Sequence, residues 1–309
     1  MIYYMRNTII NAIHAAAKTD KKIVFLTGDL GYSVVEQFQA ELPDQIINCG
    51  IAEQNMIGVA AGFALAGKKV FVYSIVPFVT MRCWEQVRVD ICYQNLDVTL
   101  IGVGGGFAYG TLGTTHFGLE DLALMRVLPN MKIIAPADSI EAVQLFTQLL
   151  NDKGPAYIRL NRGGEKNITE QASPVQIGIG SVLKHGSKVS IFSIGAITEV
   201  ALAVAALLEQ GGIEAEVVHL HTLKPLDKNI IIDRAHTRVA IVTLEEHTIN
   251  GGLGSAVAEV LAEEGISIPF RRLGVEDKYL PYIGKQDFMR AQAGLSAVAV
   301  AEAIKKLLS

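Results

Sequence analysis

Ile23-Val24-Phe25-Leu26, matched in character by Val98-Thr99-Leu100-Ile101, decides the fold class. Both runs are continuously apolar rather than alternating, the pattern of strands covered on two faces in helix-flanked parallel sheets. Outward from them, Lys22–Thr27, Lys69–Ser74, Val98–Val103, Met131–Ala135 and Ala156–Leu160 read as strands. Ala52–Ala66, Met81–Tyr93 and Ser139–Leu150 read as helices between them. Strands separated by helices of about 10 to 15 residues predict βαβ units and a mainly parallel sheet.

From Asn161 to Gly178 the periodicity fades into Gly163-Gly164-Glu165-Lys166-Asn167 and a Ser173-Pro174 pair, both turn chemistry. A second α/β series follows. Its strands are Val189–Ile194, Ala215–His219, Val239–Leu244 and a segment near Ile268–Arg271; its helices are Glu199–Gln210, Gly254–Glu264 and a last one ending at Leu308. The expected organisation is therefore α/β in two domains, each a mainly parallel sheet covered by helices: residues 1–165, a linker at 166–180, and residues 181–309. A chain of 309 residues suits two domains at ~150 residues each.

Composition excludes several function classes. Half of the residues are hydrophobic and 19% are charged, so disorder is excluded. Twenty-seven Lys and Arg against 31 Asp and Glu leave a formal charge of −4 without long runs of one sign, which argues against a nucleic-acid partner. Apolar stretches are broken every few residues, as by Gly67-Lys68-Lys69, and none reaches the ~18 residues of a membrane span. Met1-Ile2-Tyr3-Tyr4-Met5-Arg6 lacks a basic segment followed by an apolar core, so no secretory leader is expected. Cys49, Cys83 and Cys92 are odd in number and lack C-x-x-C spacing, which suits reduced thiols in the cytoplasm. His219 and His221 stand two apart with no third ligand nearby, so a structural role is expected rather than zinc.

Asn48-Cys49-Gly50-Ile51-Ala52-Glu53-Gln54-Asn55-Met56 ends an extended segment and opens an Ala/Gly-rich helix. In open α/β sheets functional groups gather at the C-terminal ends of strands. On position alone the plainer account of Glu53 is an acid complementing a helix dipole, worth ~0.3–1 kcal/mol.

Gly50–Met56 closely resembles the glutamate motif of thiamine-diphosphate enzymes of the transketolase type. Phe78–Val87, Gly110–Asp121, Ala123–Pro136, Gly154–Arg162, Thr222–Asp227 and Leu244–Gly254 match the same family in order, so the resemblance covers nearly the whole chain. It is to the C-terminal half of transketolase, a pyrimidine-binding domain followed by a C-terminal domain, as in the C-terminal subunit of a split transketolase. Deoxyxylulose-phosphate synthase and the beta subunits of 2-oxo-acid dehydrogenases share that arrangement. In the family, the diphosphate-binding half carries a Gly-Asp-Gly motif and holds Mg²⁺ with the cofactor's diphosphate. No Gly-Asp-Gly occurs here, and Gly28-Asp29-Leu30-Gly31 is a different match. The resemblance thus implies a separate diphosphate-binding partner subunit that holds most of the metal site, two copies of each chain, and no metal ligands on this one.

The resemblance also implies site residues. Glu53 matches the glutamate that hydrogen-bonds N1′ of the aminopyrimidine and promotes its imino tautomer, a role that burial of a carboxyl favours. Phe78 matches the aromatic packed on the pyrimidine, and Ile75, three positions earlier, offers an apolar wall where transketolases often have a second aromatic. Asp29 matches an aspartate near the cofactor, although it reads equally well as a loop or cap aspartate before a helix starting near Ser33. His116 matches a histidine that reaches the substrate's reacting oxygens. Arg6, Ser33 and Arg162 match positions that bind the substrate's terminal phosphate, a task suited to the guanidinium fork. Without that role Arg6 is a solvated helix charge and Arg162 a linker charge, and Arg159 stands close enough in sequence to replace Arg162.

Two departures bear on the substrate. A family aspartate is replaced by Leu112, and a family histidine falls at Gly104. Losing both weakens recognition of ordinary sugar hydroxyls. The function implied is a transferase subunit of carbohydrate metabolism, moving a ketol group between phosphorylated sugars. The rivals are a 2-oxo-acid dehydrogenase beta-type or deoxyxylulose-phosphate synthase-like component, and a non-catalytic assembly subunit.

Overall fold

The computed structural model describes residues 4–169 and 174–309. Met1-Ile2-Tyr3 and Ser173 of the Ser-Pro pair lie outside the described residues. Strands in chain order are β1 Ile23–Thr27, β2 Ile46–Asn48, β3 Lys69–Ile75, β4 Val98–Val103, β5 Lys132–Ile134, β6 Ala156–Leu160, β7 Ser181–Lys184, β8 Val189–Ile194, β9 Ala215–His219, β10 Thr222–Lys224, β11 Ala240–Thr248 and β12 Phe270–Val275. They form a 7-stranded sheet in the order β10-β5-β6-β4-β3-β1-β2 and a 5-stranded sheet in the order β12-β11-β8-β9-β7. Pairing is parallel except where β10 meets β5 and β7 meets β9. The α/β reading with two helix-covered, mainly parallel sheets holds.

The continuous apolar runs are the central strands. Every residue of β1, β4, β6 and β8 is buried, because helices cover both faces. Helices Met5–Thr19 and Ser139–Asn151 pack together on one side of the first sheet, and Ile9, Ile13 and Phe146 join β1 and β3 in that core. Helix Glu53–Leu65 lies on the opposite face with Met56, Ile57 and Ala60 inward.

Two elements depart from the sequence reading. The helix expected over Met81–Tyr93 is divided: a helical turn spans Val76–Thr80 with Pro77 in its first turn, Trp84–Gln86 forms another, and Val87–Cys92 is π-helical. Proline is accommodated in a first turn, where its missing N–H has no partner to lose, so helix begins five residues early. The ladder then changes register, the Arg82 N–H donating to the Pro77 carbonyl at 3.3 Å. The second departure is β10, which lies beyond the expected linker in sequence yet closes the edge of the first sheet.

That edge belongs to a polar seam between the sheets. Arg159 Nε donates to Asp121 Oδ2 at 2.9 Å, and its Nη2 donates to the carbonyls of Gly118 and Glu246 at 2.6 and 2.9 Å. Arg290 donates to Glu246 at 2.7 Å and to Glu199 at 3.0 Å. His219 Nε2 lies 2.9 Å from Glu141 Oε2, with both side chains buried.

Candidate active site

The site is assembled at the C-terminal edge of the first sheet. After β1 the chain turns at Gly28-Asp29, and after β2 it turns at Cys49–Ala52 into helix Glu53–Leu65. Asn48 clasps the two turns, its Oδ1 accepting from the Asp29 and Gly50 N–H groups at 2.9 and 3.0 Å, and its Nδ2 donating to Asp29 Oδ1 at 3.1 Å. The preceding Ala52 offers no capping side chain, so the first acid of the helix is Glu53 itself. Glu53 is only 2% exposed.

A buried carboxylate requires a partner. That partner is Arg82, whose Nη1 donates to Glu53 Oε2 at 3.0 Å. The same guanidinium lies over Phe78, its carbon 4.4 Å from the ring centroid. Phe78 and Arg82 are four positions apart across the register change after β3, and the break in the helix aims Arg82 back at Glu53. The Arg82 side chain is 47% exposed, so the pair is half open to water. Ile75, at the end of β3, is buried in the cluster against which Phe78 packs.

His116 approaches Phe78 from the other side, with ring centroids 5.3 Å apart in an edge-on arrangement. It ends a 3₁₀ turn at Thr114–His116, and its Nδ1 lies 2.9 Å from the Thr115 hydroxyl. Burial lowers its pKa below the ordinary histidine value, leaving a neutral ring at neutral pH with one donor and one acceptor nitrogen. Phe78 therefore links residues distant in sequence, meeting His116 directly and Glu53 through the guanidinium of Arg82.

The loop after β4 explains one departure from the family pattern. Gly104 has φ +92°, and a Cβ there would fall 2.1 Å from the Tyr109 ring. Tyr109 thus occupies the space into which a histidine at position 104 would project. Arg162 lies over the other region of this ring, its guanidinium carbon 4.9 Å from the centroid. Arg6 and Arg162 both act electrostatically on the Tyr109 phenol, against the burial that raises its pKa. Leu112 is half exposed on the 3₁₀ turn Gly110–Leu112.

Arg6 and Arg162 line one cleft of about 490 Å³. Ser33 is absent from its walls; it is exposed, has φ +63°, and its N–H donates to Glu36 Oε1 at 2.6 Å. Helix begins at Glu36 rather than near Ser33. Asp29, also exposed with positive φ, stands beside the Glu53 turn. Arg159 is committed to the seam and cannot replace Arg162. Arg82 and Tyr109 were missed by sequence reasoning. Phe78-x-x-x-Arg82 was the only available signal for the first, and a bulky residue five positions after a glycine gave none for the second.

Among the described residues no three His, Cys, Asp or Glu side chains converge as a metal-binding set. His219 and His221 are buried in the seam, and His221 is pushed down to about 4 by burial. Among those residues no helix is long and apolar enough to cross a membrane.

Comparison with known proteins agrees with this architecture. The family model for the transketolase pyrimidine-binding domain matches residues 3–165, and that for the transketolase C-terminal domain matches residues 178–300. The chain is 36% identical over 302 residues to a 6-deoxy-6-sulfo-D-fructose transketolase subunit of Clostridium sp. (strain MSTE9), covering 97% of this chain and 93% of that one. It is 33% identical over 300 residues to an apulose-4-phosphate transketolase subunit of Actinobacillus succinogenes, covering 97% and 96%. A solved structure described as a split gene transketolase, inactive beta4 tetramer, superposes with a TM-score of 0.89 at 38% identity, covering 100% of this chain and 99% of that one. With both of its domains matched and its length shared with single subunits, the chain belongs to the transketolase family of thiamine-diphosphate enzymes, as the C-terminal subunit type of a split transketolase.

Proposed function

We propose that this chain is the C-terminal subunit of a heteromeric, thiamine-diphosphate-dependent transketolase that moves a ketol group from a phosphorylated sugar donor to an aldehyde acceptor. One observation carries the reading: a buried carboxylate and an aromatic face together hold a flat, nitrogen-bearing group. The guanidinium of Arg82 lies over the Phe78 ring and donates to Glu53. An aminopyrimidine is likewise planar and presents ring nitrogen to a carboxyl, so the residues present fit the cofactor's ring. Arg82, being half exposed, has room to leave that slot.

When bound, thiamine diphosphate supplies the nucleophilic carbon that no side chain provides. Glu53 would hold the cofactor's pyrimidine through a hydrogen bond from its carboxyl, favouring one tautomer of the ring. Phe78 fixes the ring by stacking, for ~0.5–1.5 kcal/mol beyond burial, and Ile75 supports it. Asp29 borders the cofactor's central region. His116, neutral and beside Phe78, exchanges a hydrogen bond or proton with the substrate's reacting oxygens. Arg6 and Arg162 orient the substrate through its phosphate, and Ser33, absent from the cleft walls, is left out of that role. Gly104, with its space filled by Tyr109, and Leu112 stand where the family has polar groups, favouring acceptors with fewer or altered hydroxyls.

The metal belongs to the partner in this reading, since this chain offers no converging ligand set for Mg²⁺ among its described residues. The relative described as an inactive beta4 tetramer supports dependence on a second chain type. The reading includes two copies of each chain, in the cytoplasm.

The test is reconstitution with a Gly-Asp-Gly-bearing partner chain, assayed on ketose phosphates with and without a lipoyl acceptor. Ketol transfer to aldoses only in the mixture is expected. Turnover requiring the lipoyl acceptor would favour a dehydrogenase component, and tight Mg²⁺-dependent cofactor binding by this chain alone would refute the division of labour.

A further inference from the structure

We infer that Lys285, from the second domain, is the third cation of an oxyanion-binding groove begun by Arg6 and Arg162, and that this groove takes a terminal phosphate dianion. The inference rests on the proposed transferase reading for the nature of the ligand, and on the groove itself for the site. Arg6, Arg162, Lys285 and Gln286 share the walls of the same 490 Å³ cleft, and no acidic residue lines it. Among the described residues none of the three cations enters an ion pair; Arg6 Nε donates to Asn7 Oδ1 at 3.1 Å, and its guanidinium also reaches the Tyr73 and Tyr109 phenols, none of which is an acid that would neutralise it.

The acids that adjoin the groove in sequence pair with none of its three cations. Glu165 is buried and accepts from the Met5 N–H at 2.5 Å. Asp287 lies 3.5 Å from Arg290 Nη1. Three like charges thus face one opening without an answer from within the chain, an arrangement that an anion relieves.

Lys285 is held there by its backbone. The Gly284 N–H donates to the Gly110 carbonyl at 3.2 Å, and a Cβ on Gly110 would fall 2.4 Å from the Gly284 oxygen. Two glycines therefore let the second domain press against the loop that follows β4. Gln286 secures the other side, its Nε2 donating to Glu246 Oε1 at 3.0 Å. The second domain thereby completes a substrate wall that the first domain leaves open. Three positive charges match a dianionic phosphate better than a monoanionic sulfonate, and two guanidinium forks suit its oxygens.

The full-length chain is titrated with methyl phosphate, a dianion at about pH 7.5, and in parallel with methanesulfonate, at fixed ionic strength with ligand-observed NMR. Wild type should bind methyl phosphate several-fold tighter than methanesulfonate. Lys285→Gln should weaken methyl phosphate about tenfold, whereas Lys285→Arg and the remote Lys188→Gln should stay within about twofold of wild type. Thermal melts establish that all four proteins are folded.

Equal affinities for the two anions would overturn the dianion preference. A Lys285→Gln chain indistinguishable from wild type, or an equal loss in Lys188→Gln, would overturn the groove. Lys285-dependent binding in a chain whose reconstituted complex transfers no ketol group would uphold the groove and sink the functional reading. Full transfer activity with Lys285-independent binding would do the reverse.

Discussion

The seam between the two sheets and the groove beside it are both built on arginine, yet they treat charge in opposite ways. In the seam Arg159 and Arg290 are buried and each meets a carboxylate as well as further oxygen partners. In the groove Arg6, Arg162 and Lys285 are partly or largely exposed and meet no acid among the described residues. Charge removed from water must be answered inside the chain, so the seam's charges are consumed by buried partners of the chain itself. Charge left at water can wait for a ligand. Glu53 and Arg82 lie between these cases, with one partner buried and the other half exposed, which suits a pair that must part when something else enters.

The largest effect is expected in the seam. Asp121→Ala leaves Arg159 buried without its carboxylate and should cost ~3–5 kcal/mol, measured by urea denaturation, whereas Arg162→Gln should stay within ~0.5 kcal/mol. Equal losses would break the comparison, because groove and seam would then be equally structural.

Next is the intermediate site. Glu53→Gln keeps the shape but removes the proton-holding carboxyl. In the reconstituted complex, exchange of the cofactor's acidic carbon-bound proton should slow ~10²–10⁴-fold by NMR while calorimetry still detects cofactor binding. Unchanged exchange would place Glu53 with the structural acids.

The smallest effect is a pH dependence of buried groups at and beside the seam: His221, His247, whose Nε2 the Ala123 N–H approaches at 3.4 Å, and Glu245, which accepts from the Leu253 and Gly254 N–H groups at 2.7 and 2.8 Å. Burial pushes His221 and His247 down to about 4 from an ordinary 6.5. Their contribution is intact above 6.5 and is lost as the pH falls toward 4, because the unfolded chain takes up protons that the folded chain refuses. Glu245 works oppositely: burial pushes it up to about 7 from 4.5, so its contribution is intact below 4.5 and lost as the pH rises through 7. Two histidines against one glutamate leave a net loss of stability on acidification. Urea midpoints should therefore drop from about pH 6.5 to 5, by ~1–3 kcal/mol in total, and less in His247→Gln. A flat profile would show that the seam is not the sealed region described.

Much of this was legible in the chain. Continuous apolar runs marked β1 and β4 as interior strands, and the Glu53 stretch marked the strand-to-helix turn that carries the candidate site. His219 and His221 were read as structural, and they lie buried among Glu141, Thr198 and Thr222. Side-chain periodicity and turn chemistry are local properties, repeated within a few residues, and a sequence displays them directly.

What tertiary structure alone decided is which distant residues meet. Pro77 started a helix earlier than the Met81–Tyr93 pattern suggested, and the resulting break turned Arg82 onto Glu53 and Phe78. Tyr109 filled the space above Gly104, Arg159 went to the seam while Arg162 faced the groove, and β10 returned from the second half of the chain to finish the first sheet. Lys285 reached Arg6 across nearly the whole sequence because Gly284 could lie against Gly110. Such contacts are set by sheet order, by the room left between packed backbones and by the need to answer buried charge, none of which repeats along the chain.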